Sequence, residues 1–428
     1  MNEDFLSFVW RFQYFDTTDL QTQGGESLQI LRTGYLNTDA GPDFSEARLL
    51  LNGIEWAGCV ELHVKSSDWA AHKHPTDPAY ESVILHVVWE DDLPITHQDR
   101  TLVPTLVLNK RVGESIFSRY HELMDQTDDI PCASLFDQVS SLQKLTMLDR
   151  VLLERLDARA QQVRTLWEAN QRDWDETAYQ WLARHYGFRL NAPAFQRLAE
   201  LIPLRIIQKH RSSLLQIEAL LFGVAGLLPE IPQDDYERTL IQEYRFLAAK
   251  YDLLDKQMAT HEWKFLRLRP AGFPTVRLAQ LALFLQNQPR IFSVLTNPES
   301  LTVLRNNFRV SQSDYWKKHY RFGKTSAVAV PSLGADAADL LVINGAIPLL
   351  VAHARHLGQE SLLDRAIEWL EQCPAEKNHL ITEWEKLGMS AKTAFDTQAL
   401  MEWHKNYCSP KRCLECTVGA ALLKPSAS

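Results

Sequence analysis

Apolar residues at positions 5, 8, 9, 12 and 15 fall on one face of a 3.6-residue period, which predicts an amphipathic helix over 5–15. The period then shortens. Runs at 27–32, 47–52, 58–65, 83–89 and 102–108 predict strands. Gly24-Gly25, Ala40-Gly41-Pro42, Asn52-Gly53 and Pro94 punctuate them. Asn-Gly between two apolar runs predicts a tight hairpin, because both central positions of that turn need positive φ. From about 113 the helical period returns, over 141–170, 174–186, 192–203, 211–226 and 235–252, then 275–287, 298–306, 336–356, 359–373, 376–387 and 395–407. The pattern predicts a mixed α+β chain: an α/β module with a mixed sheet at 1–110, a helical region at 111–306 and a helical C-terminal region at 307–428.

The length of 428 residues allows about three domains, and 45% hydrophobic with 23% charged residues is the balance of a globular protein. The net charge of −9 argues against coating nucleic acid by bulk charge and leaves room for a local basic groove. The start, Met-Asn-Glu-Asp, lacks a basic n-region. The apolar stretches 219–228 and 340–354 fall short of the roughly 20 residues that span a bilayer. A cytoplasmic protein without a membrane partner is expected; oligomeric state is not legible.

Chemistry concentrates in one place. Four of the 14 histidines, His63, His72, His74 and His86, lie within 24 residues. Strand alternation puts Glu61, His63 and Lys65 on one face, with Val60, Leu62 and Val64 on the other. A solvated sheet face would explain such a row, and so would a metal-dependent site. Imidazoles with Asp68 or Asp77 would suit Zn²⁺, Fe²⁺ or Mn²⁺ in a small-molecule metalloenzyme.

Pro42-Asp43 at the start of one strand, Glu61 on the next strand across a hairpin, a short helical crossover at 68–80 and an apolar strand at 82–89 resemble the PD-(D/E)xK nuclease superfamily. The resemblance implies a restriction-endonuclease-like core, Asp43 and Glu61 as ligands of Mg²⁺ or Mn²⁺, and hydrolysis of phosphodiester bonds in DNA or RNA. The chain departs from that pattern where the family carries lysine. His63 stands two residues after Glu61, and Lys65 four after; either would position the water, or the site is silent and the protein a nucleic-acid-binding scaffold. Asp68, His72 and His74 would bind substrate.

The blocks 37–44, 60–63, 85–88, 269–274, 394–400 and 408–416 resemble, over nearly the whole chain, an uncharacterised bacterial family known only as a domain of unknown function. That resemblance implies no activity.

Two further patterns carry candidates. Cys408-x4-Cys413-x2-Cys416 with His404 one turn earlier offers four ligands for a structural Zn²⁺, with an iron–sulfur cluster as the alternative and Cys373 as another fourth ligand. The stretch 305–324 holds six cations and one acid, interleaved with aromatics. Arg309, Trp316, Lys317, Lys318 and Arg321 are its candidates for gripping nucleic acid.

Overall fold

The computed structural model describes residues 1–37 and 40–424. Thr38 and Asp39, in the block 37–44, and the last four residues lie outside the described residues. The chain divides into two units, Met1–Asp149 with Glu402–Ser428, and Arg150–Met401. The sequence suggested boundaries at 110 and 306. The first unit instead reclaims the end of the chain, because that end bonds to its helices. Arg119 donates to the Leu422 carbonyl (3.4 Å), and the Thr417 N–H approaches the Met147 sulfur (3.4 Å).

In the first unit, helix α1 (Glu3–Phe12) starts where Asn2 accepts from the Phe5 N–H and stops at Gln13, whose φ of 52° cannot continue a helix. It buries Phe5, Leu6, Phe8, Val9 and Trp10. The sheet contains β1 (Leu28–Arg32), β2 (Tyr35–Leu36), β3 (Phe44–Leu51), β4 (Ile54–Lys65), β5 (Val83–Glu90) and β6 (Thr105–Val107). Its order is β1-β3-β4-β5-β6, with β2 on β3. The first three pairings are antiparallel; β4–β5 and β5–β6 are parallel. Asn52 and Gly53 turn the β3–β4 hairpin with φ of 49° and 79°, as the Asn-Gly pair predicts. β6 is shorter than the run 102–108 because Pro104 has no N–H for the ladder.

The crossover from β4 to β5 is not one helix. A single turn, α2 (Asp68–Ala71), gives way to 3₁₀ turns at His74–Thr76 and Pro78–Ser82. Pro75 and Pro78 cause this, since each removes a donor a continuous helix would need. At Gly58 the crossover returns so close to β4 that a Cβ would lie 2.6 Å from the Ser82 carbonyl. Helices α3 (Glu114–Asp125) and α4 (Ser141–Ala169) follow.

The second unit is mostly helical, with one two-stranded hairpin, His319–Arg321 with Lys324–Thr325, inside the basic stretch. Its longer helices follow the periodic segments to within a few residues, and two short ones, Leu204–Lys209 and Ile291–Thr296, fall between them; the helix expected from 192 begins at Phe188, directly after the helix Trp174–Tyr186. Gly187 alone makes this corner; a Cβ there would sit 2.4 Å from the Asn191 carbonyl. One continuous helical stretch, Ala335–Leu357, widens into a π-turn at Val342–Ala346 just ahead of Pro348. This makes it 23 residues, longer than the 340–354 run suggested and sufficient in length and composition to cross a bilayer. However, 72% of its apolar window is buried within the protein, as in a core helix.

Candidate metal centre

The carboxylate pair and the histidine cluster, two separate readings of the sequence, occupy one site in the first unit. β4 supplies Glu61 and His63, and the parallel register sets His86 of β5 beside Glu61. Neither Glu61 nor His63 stands on a solvated face: they are 5% and 1% exposed. Asp43 enters from the loop before β3. Asn37 holds that loop, its N–H donating to the Asp43 carbonyl (2.7 Å) and its side-chain amide to Pro42 (3.0 Å). The Asp43 N–H then donates to Glu61 Oε2 (3.0 Å), and the Leu62 N–H donates to Asp43 Oδ2 (2.9 Å).

The other Glu61 oxygen faces imidazoles. Oε1 lies 3.3 Å from His74 Nε2 and 3.7 Å from His63 Nε2, and His63 Nε2 lies 3.1 Å from His72 Nδ1. The three ligand nitrogens of His63, His72 and His74 are all within 4.8 Å of one another. A tetrahedral site with bonds of about 2.1 Å has ligand–ligand edges of about 3.4 Å. Three measured edges bracket that value. His74 Nε2 is within ion-pair distance of Glu61 but lacks hydrogen-bond geometry, so it is buried without a hydrogen bond. A buried lone pair in this position fits a metal ligand.

One tautomer assignment suits a metal site. His63 Nδ1 is 2.8 Å from His86 Nε2. With the proton on His63 Nδ1, His86 accepts it and His63 Nε2 presents its lone pair to the site. His74 stacks on Tyr80 (3.7 Å between centroids), and Trp69 meets His63, His74 and His86 at their edges or faces. His72 is the exposed member, so it forms the open side.

Burial dominates the electrostatics. It pushes Glu61 up to about 8, with the neighbouring Asp43 adding repulsion, and it also raises Asp43. Burial lowers His63 to about 2 and His86 to about 3, and it lowers His74 as well. His63 and His74 are therefore held neutral, the form that binds metal.

Lys65 shares the alternation of Glu61 and His63 but is exposed at the end of β4, where its N–H donates to Asp68 Oδ2 (3.1 Å). Among the described contacts its ammonium does not enter the site. Asp68 is occupied by that bond at the head of α2. Glu3, which the sequence did not single out, joins the site electrostatically: it sits at the head of α1 and feels His72, Asp43 and Asp68. Its only sequence signal was an acid in a first helical turn, which macrodipole complementarity already explains.

The basic stretch belongs to the second unit and uses its aromatics internally. Trp316 is fully buried, stacked on Phe222 at 4.8 Å and donating to the Tyr236 hydroxyl (3.0 Å). As a platform for bases it is therefore corrected to a core residue. Arg309, Lys317, Lys318 and Arg321 are exposed, although Lys317 pairs with Asp314 and Arg321 lies over the Phe265 and Phe273 rings. Cys373 lies in the second unit, with the Arg305 guanidinium donating to its sulfur (3.4 Å). His404 is half-buried at the head of a π-turn ending at Cys408.

No curated protein and no solved structure matches the chain. A family model matches residues 3–379, covering the sheet, both acids, the histidine cluster and most of the helical unit. The chain belongs to that family, described as a protein of unknown function, DUF2851.

Proposed function

We propose that this protein is a metal-dependent hydrolase of phosphodiester bonds in DNA or RNA, with its metal held by His63, His72, His74 and Glu61. One observation carries this reading: Glu61, bonded by the Asp43 main chain, lies at ligand-to-ligand distance from the histidine cluster. The antiparallel β1-β3-β4 set followed by a parallel β5 supports the nuclease part, because it holds Asp43 and Glu61 in the order of the PD-(D/E)xK core. Three imidazoles favour Mn²⁺, Zn²⁺ or Fe²⁺ over Mg²⁺.

Such an ion supplies Lewis acidity, lowering the pKa of a water and stabilising charge on a phosphoryl oxygen. The chain's own residues do the rest. His86 fixes the His63 ring, Tyr80 fixes that of His74, and the main-chain bonds fix both carboxylates. Asp43, with its pKa raised by burial and one oxygen held by Leu62, is the group suited to accept a proton from water. His72 marks the side open to substrate.

The test is cleavage of single- and double-stranded DNA and RNA with Mn²⁺, Zn²⁺, Fe²⁺ or Mg²⁺. Cleavage should require metal and fall at least a hundredfold in Asp43→Asn and Glu61→Gln. Tight binding of nucleic acid with no cleavage under any metal would favour a silent scaffold instead. The imidazole-rich ligand set also suits a small-molecule metallohydrolase. Metal bound in proportion to intact His72 and His74, with nucleic acid neither bound nor cut, would turn the assignment to that reading.

A further inference from the structure

The first unit carries a second cluster of metal-ligating side chains. Cys408, Cys413 and Cys416 lie in the returning C-terminal segment, and Cys132 lies just ahead of the 3₁₀ turn Ala133–Gln138. All four are buried, with 5–6% exposure, and none of the chain's cysteines is bridged by a disulfide.

The backbone brings them to one place. A left-handed Lys411 (φ 55°) folds the segment after Cys408, with the Lys411 N–H donating to the Cys408 carbonyl (3.0 Å). The Cys416 N–H donates to the Cys413 carbonyl (3.3 Å). The helix Thr417–Leu423 then packs against both α3 and the 3₁₀ turn that follows Cys132. Its Gly419 lies directly on the Cys413 turn; a Cβ there would be 2.2 Å from the Cys413 carbonyl. The thiols sense one another. Cys132 lies within electrostatic range of Cys416 and Cys413, Cys408 within range of all three others, and Cys413 within range of Cys416.

We propose that Cys132, Cys408, Cys413 and Cys416 are the four ligands of one thiolate-bound metal centre, a Zn²⁺ ion or an iron–sulfur cluster, that fastens the end of the chain to the first unit. Four buried thiols come from two sequence-distant segments that pack on one another, and a Cys₄ set serves both metals. Each thiol gives its proton to solvent when the metal binds. The centre stands apart from the histidine site and does not depend on its function.

Protein purified without oxygen is assayed for zinc, iron and acid-labile sulfide. Because the histidine site is itself a candidate for zinc, thiolate ligation is read separately, from sulfur-to-metal charge-transfer absorption after cobalt substitution or from the visible band of a cluster. The expected result is about one thiolate-bound zinc, or about four irons with matching sulfide, per chain. The signal should vanish in Cys132→Ser as fully as in Cys416→Ser and survive in Cys373→Ser. Because serine variants of a structural centre can fail to fold, alkylation of the intact wild type is a second measurement. All four thiols should be protected as isolated and become reactive together on chelation. Absence of the thiolate signal in the wild type, its survival in Cys132→Ser, or alkylation of the four thiols without chelation overturns the proposal.

Discussion

The backbone N–H of Asp43 donates to Oε2 of Glu61 at 3.0 Å, which turns the other carboxylate oxygen of Glu61 toward His74 and His63. The two acids thus have different roles. Glu61 turns an oxygen to the imidazoles, and Asp43 stands beside it. His86 touches neither acid among the described hydrogen bonds, yet its Nε2 lies 2.8 Å from His63 Nδ1, where accepting a proton would free His63 Nε2 for a metal. His86→Leu should weaken Mn²⁺ or Zn²⁺ binding ten- to hundredfold, the usual effect of losing an outer partner of a ligating histidine. His86→Gln should lose less, since its amide oxygen still accepts from His63 Nδ1. Isothermal titration of the two variants checks this.

Metal binding should depend on pH through Glu61. Its pKa of about 8 means that metal displaces a proton there below that pH, while His63 is already neutral above about 2. Affinity for Mn²⁺ should rise by up to about tenfold per pH unit between pH 7 and 8 and then level off. Glu61→Gln should flatten this rise. Glu3 is among the charges that hold Glu61 up, so Glu3→Gln should move the plateau to lower pH. Equilibrium dialysis across this range gives the answer.

Metal-free stability should show the same group with the opposite sense. Glu61 has a folded pKa of about 8 against an ordinary 4.5, so the folded state holds an extra proton between those values. Its contribution to stability is complete below 4.5 and is lost as pH rises through 8. His63 is depressed from 6.5 to about 2, so its contribution is present above 6.5 and lost on acidification. The metal-free melting temperature should therefore fall from pH 6.5 to 8. Glu61→Gln should remove that fall.

In the basic stretch, burial separates two kinds of residue. Trp316→Ala should cost about 3–5 kcal/mol of stability in denaturant unfolding, as emptying a buried aromatic site does. Lys318→Gln, at an exposed position, should change stability by less than about 0.5 kcal/mol. Any weakening of nucleic-acid binding by Lys318→Gln should shrink as salt is raised.

The corner between the helices Trp174–Tyr186 and Phe188–Leu201 depends on one missing side chain. Gly187→Ala sets a Cβ 2.4 Å from the Asn191 carbonyl, a backbone atom that cannot swing aside. A loss of about 2 kcal/mol or more is expected, with a lowered melting temperature as the readout.

Periodicity made most elements legible, because helix and strand faces are written locally. The Asn52-Gly53 hairpin and the helices Trp174–Tyr186 and Asp235–Tyr251 needed no long-range information. Alternation also put Glu61 and His63 on one face correctly. It did not show that Lys65 lies where β4 runs out into solvent, because alternation gives direction and not depth. That the acids and histidines form one site depends on the parallel β4–β5 register and on the proline-broken crossover that returns His72 and His74 to β4. Glu3 and Cys132 carried no local signal; only the packing of distant segments brings them to their clusters. Trp316 misled because a core aromatic and a stacking platform look alike in sequence.

The first unit is built from both ends of the chain, with the second unit inserted between. The sheet bearing Glu61 and His63 precedes the second unit in the chain, while the helix Thr417–Leu423, which packs on α3 and on the 3₁₀ turn Ala133–Gln138, follows it. Folding of the first unit must therefore close a loop as long as the whole second unit, a cost in chain entropy that its other contacts have to offset.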